Sequence, residues 1–344
     1  MDFALSDDQR LLQDQLGGAM SRLAPLARVR RHAGLAADAF AEDVWEGLAH
    51  FGVPGLLIPE EYGGLDLGLL DAALVSEMLG RHVVPAPFLG PVVAAPLAIL
   101  GGGSEQQRRD LLPRIARGEL RIAVALSGSM AGARPDEGIS AQDGLLHGAC
   151  RFAIDTAGCE MILVETLSGD LHLVDAAGPG VEITPLITVD RTRSAAALVL
   201  DGASSSRLDI SAAARQRIAS ALNVMLAADL LGAGTHMLDV AVDYAKVRHQ
   251  FGRPIGSFQA VQHLCADVAA ELEPGRALVW YAAHALEVGL PDAALCALHA
   301  KAYLADAARI TSRNATEVHG GIGITDDLGL HYWFKRVKIG RAHV

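Results

Sequence analysis

The chain has 344 residues, of which 51% are hydrophobic, and its formal net charge is -11. A chain of this length and apolar content can bury a core large enough for two or three domains, which excludes a wholly disordered protein. The negative charge argues against broad electrostatic capture of nucleic acid or of an anionic membrane, so we expect neither as a partner.

The N-terminus predicts a helix and no export signal. The opening MDFALSDDQRLLQDQL lacks the basic start and apolar middle of a signal peptide. Ser6 followed by Asp7 and Asp8 is typical of a helix cap with an acidic first turn. The apolar stretch from Val83 to Leu100 is about as long as a membrane span, but prolines interrupt it, so we interpret it as buried core and turns. We therefore predict a cytoplasmic protein.

Three textures follow one another along the chain and predict an α+β fold that is mainly α. Apolar residues at three- and four-residue steps, punctuated by Gly and Pro, predict an N-terminal helical domain over residues 1–118. Short β-type runs split by Gly and Asp turns predict a middle β domain over residues 119–208. Long Ala/Leu-rich helices then predict a helical bundle over residues 209–344.

Cysteine and histidine spacing gives no indication of a metal site. Cys150, Cys159, Cys265 and Cys296 show no C-x-x-C pairing, and the histidines are scattered along the chain. Because a metal site needs ligands that converge at compatible spacing, we expect no metal and reduced cysteines.

Three segments carry a family resemblance that covers nearly the whole chain. LIPEEYGGLDLG (57–68), YAKVRHQFGRPIGSFQAVQHLCADV (244–268) and EVHGGIGITDDLGLHYWFKR (317–336) resemble the hallmark segments of the acyl-CoA dehydrogenase family, in the same order and at similar spacing. The resemblance implies an N-terminal helical domain, a middle β domain and a C-terminal four-helix bundle. It also implies FAD, held between the domains and a neighbouring subunit.

The second segment is the strongest candidate for cofactor binding. The resemblance implies that Arg248 contacts the FAD pyrophosphate across a subunit interface, a task that suits the forked donors of a guanidinium. Phe251 would supply a packing surface and Gln259 would start the next helix at the cofactor. Gly320 and Gly321 would let the backbone approach the cofactor, because a Cβ would collide there. The alternatives are a solvated charge for Arg248 and a plain helix C-cap for the glycines.

The resemblance places further contacts in the β domain, where the residues depart from the family pattern. ALSGSMAGAR (125–134) stands where the family has A-L-T-E-P-x-A-G-S-D, so the resemblance implies flavin contacts at Ser127 and Gly132 and a substrate contact at Ala133. Gly128 replaces the family's glutamate. Phe152 matches an aromatic residue that packs on the flavin ring; the alternative is an ordinary core phenylalanine.

Neither usual position of the family's catalytic glutamate holds an acid. The position on the first long helix of the bundle corresponds to Leu222, and Asn223 follows it where an arginine at the substrate is common. The loop position falls at about Val344. The last residues, IGRAHV (339–344), differ from the family's continuation and match what a common sequencing-library adapter would encode, so we expect a truncated chain.

Asp229 is the remaining acidic candidate for the catalytic base. It follows Leu222 by two helical turns and lies on roughly the same helix face. Its surroundings, MLAADLLGAG, are apolar, and a carboxylate in apolar surroundings tends to have a raised pKa, as a base in a flavoenzyme would. The alternative is a structural carboxylate that faces a polar partner.

Two functions follow from these residues, with FAD as cofactor and an acyl-CoA as substrate. One is autonomous α,β-dehydrogenation of the acyl-CoA, with electron-transfer flavoprotein or a similar electron acceptor. The other is a catalytically weak partner in a homo- or hetero-oligomer, as in the heteromeric dehydrogenases of bacterial steroid side-chain breakdown, which VDRTRSAAALVLDG (189–202) resembles. Glu317, where the family has Gln near the FAD phosphates, favours the second; the retained Arg248 favours the first. Flavin hydroxylases and acyl-CoA oxidases share the fold and are a third option.

Overall fold

The computed structural model describes residues 4–126, 128 and 137–342. Its N-terminal part is helical as far as residue 116. Ser6 Oγ accepts a hydrogen bond from the Gln9 N–H, and the Gln9 side chain accepts one from the Ser6 N–H, both at 3.1 Å, which confirms the predicted cap. The helices are α1 (Asp7–Leu23), α2 (Leu26–Ala33), α3 (Glu42–His50), α4 (Leu69–Arg81), α5 (Ala95–Gly102) and α6 (Glu105–Ala116).

The apolar stretch from residue 83 to residue 100 lies in the core, as predicted. Val83, Val92 and Ile99 are fully shielded from solvent. In place of simple turns, a π-helical segment (Leu89–Ala94) leads directly into α5, with Pro96 in the first turn, where a missing N–H does no harm. The prolines therefore shape the segment without exposing it.

The middle of the chain forms one seven-stranded sheet. Its order is β2-β3-β1-β4-β5-β7-β6, and a further pairing of β3 with β7 closes five strands into a barrel. Among the described strands of this sheet, β1 and β4 form the one parallel pair. The strands are β1 (Ile122–Ala125), β2 (Gly138–Gln142), β3 (Leu145–Ile154), β4 (Met161–Glu165), β5 (Leu171–Asp175), β6 (Val181–Pro185) and β7 (Ala195–Leu208).

The C-terminal part returns to long helices, joined by a small hairpin. The helices are α7 (Ala212–Val247), α8 (Gln259–Val288), α9 (Ala293–His319) and α10 (His331–Ala342), and the hairpin strands are β8 (His249–Gln250) and β9 (Arg253–Pro254). By length and composition α7 could cross a membrane, but 89% of its most apolar window is buried inside the protein. It is the central core helix of the fold.

Helices α4 and α7 approach each other backbone to backbone. A Cβ added at Gly80 would overlap the Asp229 carbonyl, and a Cβ added at Gly232 would overlap the Glu77 carbonyl. Ser76 Oγ also donates a hydrogen bond to the Met225 carbonyl at 2.7 Å across this contact. The N-terminal helices are thus seated directly on α7, the helix that carries most of the predicted substrate-side residues.

Candidate functional site

Arg248 and Phe251 lie on an exposed hairpin. Arg248 caps the end of α7 and is exposed, with no ion pair or hydrogen bond of its side chain to any described residue. The hairpin turns at Phe251 and Gly252, both with positive φ (53° and 79°), and Phe251 is 92% exposed. Phe258 supports the hairpin from below, since the Arg253 guanidinium lies 4.1 Å above its ring. The hairpin therefore offers a free cation and an aromatic face to a ligand or to another chain.

The glycine pair lies beside open space. Apart from the neighbouring backbone, no atom of the described residues comes within 4 Å of a Cβ built at Gly320 or Gly321, and Gly320 has a φ of +64°. Both are exposed, as are Gln259 at the start of α8 and Glu317 in the last turn of α9. Open space and an unpaired guanidinium fit the pyrophosphate of a dinucleotide. The Glu317 carboxylate does not fit phosphate, because like charges repel.

Phe152 is half-buried on β3, where it packs against the main core. It lines a cavity of about 20 Å³, enough for a single water molecule, so a planar ring could lie against the mouth of this cavity but not inside it. None of the hairpin residues or the glycine pair lines this cavity. Its lining is Leu89, Phe152, Ile154, Asp155, Thr188, Arg193, Ser194 and Ala195.

The predicted contacts Ser127, Gly132 and Ala133 lie outside the described residues. Gly128 is described and is exposed. A Cβ added at Gly128 would lie 3.1 Å from Glu165 Oε2. A glutamate at position 128, as in the family, would therefore begin beside the carboxylate of Glu165, which gives a physical reason for glycine here.

Asp229 faces two arginines. Arg336 Nη2 and Nε donate to Asp229 Oδ1 at 2.7 and 3.0 Å, and Arg193 Nη2 lies 2.6 Å from the same oxygen. Burial alone would raise the pKa of Asp229, but the charges and hydrogen bonds of the two arginines outweigh it and hold the pKa below its usual value. The expected raised pKa is therefore wrong, because the arginines come from other elements; the geometry matches the alternative of a carboxylate with polar partners.

The arginines and Asp155 are the residues that sequence reasoning missed. Arg336 on α10 also donates to the Val84 carbonyl and to Thr192 Oγ1, at 3.1 and 3.0 Å. Asp155, just after β3, has a φ of +59° and accepts hydrogen bonds from the backbone of residues 88 and 90. Burial raises the pKa of Asp155 while these bonds oppose the rise. No spacing in the sequence links these positions, although a positive-φ Asp after a strand is a usable turn signal.

The two helix positions predicted at the substrate lie on α7. Leu222 is fully buried and Asn223 is half-buried. Val224 and Met225 beside them are also buried. The position that would carry the base is thus an apolar core position in this chain.

Family models and individual relatives both indicate the same protein family. Residues 6–119 match the acyl-CoA dehydrogenase N-terminal domain, and residues 215–343 match the acyl-CoA dehydrogenase C-terminal domain. The chain is 32% identical to acyl-CoA dehydrogenase IpdE2 of Mycobacterium tuberculosis (strain ATCC 25618 / H37Rv), over 96% of this chain and 91% of that protein. It is 33% identical to acyl-CoA dehydrogenase FadE34 of the same strain, over 87% of this chain and 40% of that protein.

Two solved structures share the whole fold. A variant of the Tcur3481–Tcur3483 steroid ACAD superposes with a TM-score of 0.89 at 33% identity, over 97% of this chain and 92% of that one. The ChsE4–ChsE5 complex from Mycobacterium tuberculosis gives a TM-score of 0.89 at 27% identity, over 99% of this chain and 94% of the matched chain. Both names describe assemblies of two different chains.

Proposed function

The chain belongs to the acyl-CoA dehydrogenase family, and we propose that it is an FAD-binding subunit of a two-subunit acyl-CoA dehydrogenase with little activity of its own. The observation that carries this proposal is the separation of its cofactor-binding residues. Arg248 and Phe251 extend into solvent on a hairpin, whereas Phe152 lines a small cavity that no hairpin residue reaches. Residues arranged in this way contribute to a cofactor that a second chain helps to hold.

We infer weak autonomous activity from Leu222, at the helix position of the base, and from Asp229 near it. α,β-Dehydrogenation needs a carboxylate that can accept a proton from the carbon next to the thioester carbonyl. FAD, when bound, supplies the acceptor for the hydride. Leu222 has no proton acceptor, and Asp229 is held by Arg193 and Arg336 with a lowered pKa, so its carboxylate is a poor base.

Each proposed cofactor residue has a separate task. Arg248 would bind the pyrophosphate, Gln259 would supply polar contacts at the start of α8, and Gly320 and Gly321 would admit the cofactor to the backbone. Phe152 would exclude water from one side of the ring. Ser127, Gly132, Ala133 and Asn223 complete the proposed flavin and substrate contacts.

The partner and substrate are proposed from the relatives. Two of the matched structures are steroid ACAD and ChsE4–ChsE5 assemblies, so we infer a second dehydrogenase subunit with an intact base and a bulky, steroid-type acyl-CoA. Electron-transfer flavoprotein or a similar protein would then reoxidise the flavin in the cytoplasm.

A second candidate function is autonomous dehydrogenation by a homo-oligomer. The free guanidinium of Arg248 and the open glycine pair fit this candidate as well as the first, since both functions use FAD. The second candidate differs in that this chain would have to supply the base.

Sedimentation velocity at the flavin absorbance band tests the proposal. We expect flavin to travel only with an oligomer, and acyl-CoA to bleach it only slowly without the second subunit. Flavin travelling with a monomer would contradict the shared cofactor site, and rapid bleaching of the chain alone would favour the autonomous enzyme.

A further inference from the structure

A second cavity, of about 280 Å³, lies between α2, the β6–β7 connection and α10. It shares no lining residue with the proposed cofactor site or with the cavity beside Phe152. Its lining is Arg30, Ala33, Gly34, Asp190, Arg191, Asp326, His331, Tyr332 and Lys335.

The charges around this cavity leave cationic groups available. Asp326 is already occupied, because Arg30 Nε lies 3.0 Å from its Oδ2 and Tyr332 donates to its Oδ1 at 3.0 Å. Within the described ranges, the Arg191 side chain donates to a single acceptor, the Leu35 carbonyl, at 2.5 Å. Lys335 has no carboxylate within 4.0 Å among the described residues, and its ammonium lies 5.9 Å from the Tyr332 ring. Arg191 and Lys335 therefore face the cavity with donors to spare, which suits an anion.

Unsatisfied buried atoms gather at the same cavity. Asp190 is 1% exposed, and its Oδ1 accepts hydrogen bonds from Thr192 N–H and Oγ1 at 2.8 and 2.6 Å, but its Oδ2 has no partner. Among the described residues, His331 Nδ1 has no hydrogen-bond partner either. Apart from Arg30 Nε, which pairs with Asp326, two of the five such buried atoms in the described part of the chain line this one cavity. A buried polar atom without a partner marks a missing ligand or water.

The spare cationic donors and the unpartnered Asp190 Oδ2 together restrict the chemistry of the ligand. Arg191 and Lys335 need negatively charged oxygens, whereas Asp190 Oδ2 can only accept, so it needs a donor on the ligand. A simple carboxylate or a sulfate supplies acceptors alone. Inorganic phosphate at neutral pH supplies both, because it keeps a P–OH beside its charged oxygens.

We propose that this cavity is a binding site for a hydrogenphosphate group, with Arg191 and Lys335 on its charged oxygens and Asp190 Oδ2 accepting its P–OH. The site is independent of the proposed function, because none of the proposed FAD or acyl-CoA residues lines it.

Isothermal titration of the full chain at pH 8 with phosphate, sulfate and methyl phosphate tests the proposal. We expect phosphate to bind at least tenfold more tightly than sulfate. Methyl phosphate is mostly a dianion at this pH, since phosphomonoesters have a second pKa of about 6, and so lacks the P–OH. It should bind as weakly as sulfate. Equal binding of the three anions, or no phosphate binding at millimolar concentrations, would overturn the proposal.

Variants test the roles proposed for Asp190 and Lys335. Asp190→Asn should abolish the preference for phosphate over sulfate, because the amide can donate to either anion while still accepting from Thr192. Lys335→Met should weaken phosphate binding about tenfold, and the exposed Lys338→Met on the same helix is the matched control. An equal loss in both lysine variants would show nonspecific attraction and reject the site.

One further variant separates this site from the proposed cofactor site. Arg248→Ala should leave phosphate binding unchanged even where it lowers flavin content. If Asp190→Asn does not fold, the phosphate-to-sulfate ratio of the unmodified chain and the lysine pair still decide the proposal.

Discussion

Asp229 and Arg336 form a bidentate ion pair in the protein interior, where each side chain is only 3% exposed. The pair joins the middle of α7 to α10, and Arg193 adds the β domain to it. Because two charges have been removed from water, each depends on the other for stability.

Arg336→Met should therefore lower the free energy of unfolding by less than the roughly 3–5 kcal/mol typical of leaving one member of a buried pair alone, because Arg193 still faces Asp229. Urea denaturation followed by circular dichroism measures this. The double variant Asp229→Leu/Arg336→Met should recover part of the loss, since it removes both charges of the bidentate pair and leaves only Arg193, whose side chain is 16% exposed, without its carboxylate. Unfolding of Arg336→Met at the urea concentration that unfolds the unmodified chain would contradict the role of the pair.

Leu222→Glu should raise the rate of flavin reduction by an acyl-CoA. A positioned general base contributes roughly a hundredfold to ten-thousandfold, and burial at this core position raises the pKa of a carboxylate toward the range a base needs. Stopped-flow absorbance under anaerobic conditions measures the rate. Leu222→Gln has the same size without the proton acceptor and is the control; an equal gain in both variants would rule out base catalysis.

Asp229→Asn should leave the pH dependence of flavin reduction unchanged. The lowered pKa of Asp229 keeps it ionised and paired with the two arginines across the range in which dehydrogenation would be assayed. The variant should instead unfold at lower urea concentration, because an amide neutralises neither arginine. Loss of one limb of the pH–rate profile would restore Asp229 as the base.

Arg248→Ala should weaken FAD retention by about 1.5–3 kcal/mol, roughly 10- to 150-fold, because it removes a charged hydrogen-bond donor. Flavin fluorescence after serial dilution measures retention. Arg253→Ala is the control on the same hairpin, since Arg253 packs over Phe258 instead. Full flavin occupancy of Arg248→Ala after dilution would contradict the assigned role.

His236 should make the fold sensitive to mild acid. Burial, with the charges of Arg81 and His82, lowers the pKa of His236 to about 3, and the ring stacks on Trp333 at 4.0 Å. The unfolded chain takes up a proton at His236 as the pH falls below about 6.5, whereas the folded chain does not, so stability present above that pH is lost on acidification.

The loss should reach about 1.4 kcal/mol per pH unit between pH 6.5 and about 3. His236→Phe keeps an aromatic ring against Trp333 without a titrating group, so its urea midpoint should fall less steeply over this range. Parallel midpoint curves for the two proteins would contradict the prediction.

Local patterns predicted the helical and β regions because helix and strand periodicities are properties of neighbouring residues. The cap at Ser6 and the burial of Val83 are of this kind. The environment of Asp229 is not: its own neighbours are apolar, and its partners Arg193 and Arg336 lie 36 and 107 residues away in other elements. A local reading therefore predicts a pKa shift of the wrong sign.

The cofactor residues were predicted through the family resemblance, and their assignments remain proposals. The exposure of the Phe251 hairpin gives the physical reason why sequence could place them only in part. A cofactor site that needs a second chain leaves no enclosed cavity in one subunit. Neither the composition nor the periodicity of this chain alone therefore predicts such a site.

The close approach of α4 and α7 limits which mutations the gene can carry. Every missense change at codon 80 or codon 232 adds a Cβ, and that atom would overlap the carbonyl of Asp229 or of Glu77. Purifying selection should then hold both codons as long as the protein must fold, whether or not selection for turnover has been relaxed. In a gene that drifts toward a silent subunit, these two glycines would outlast a catalytic acid.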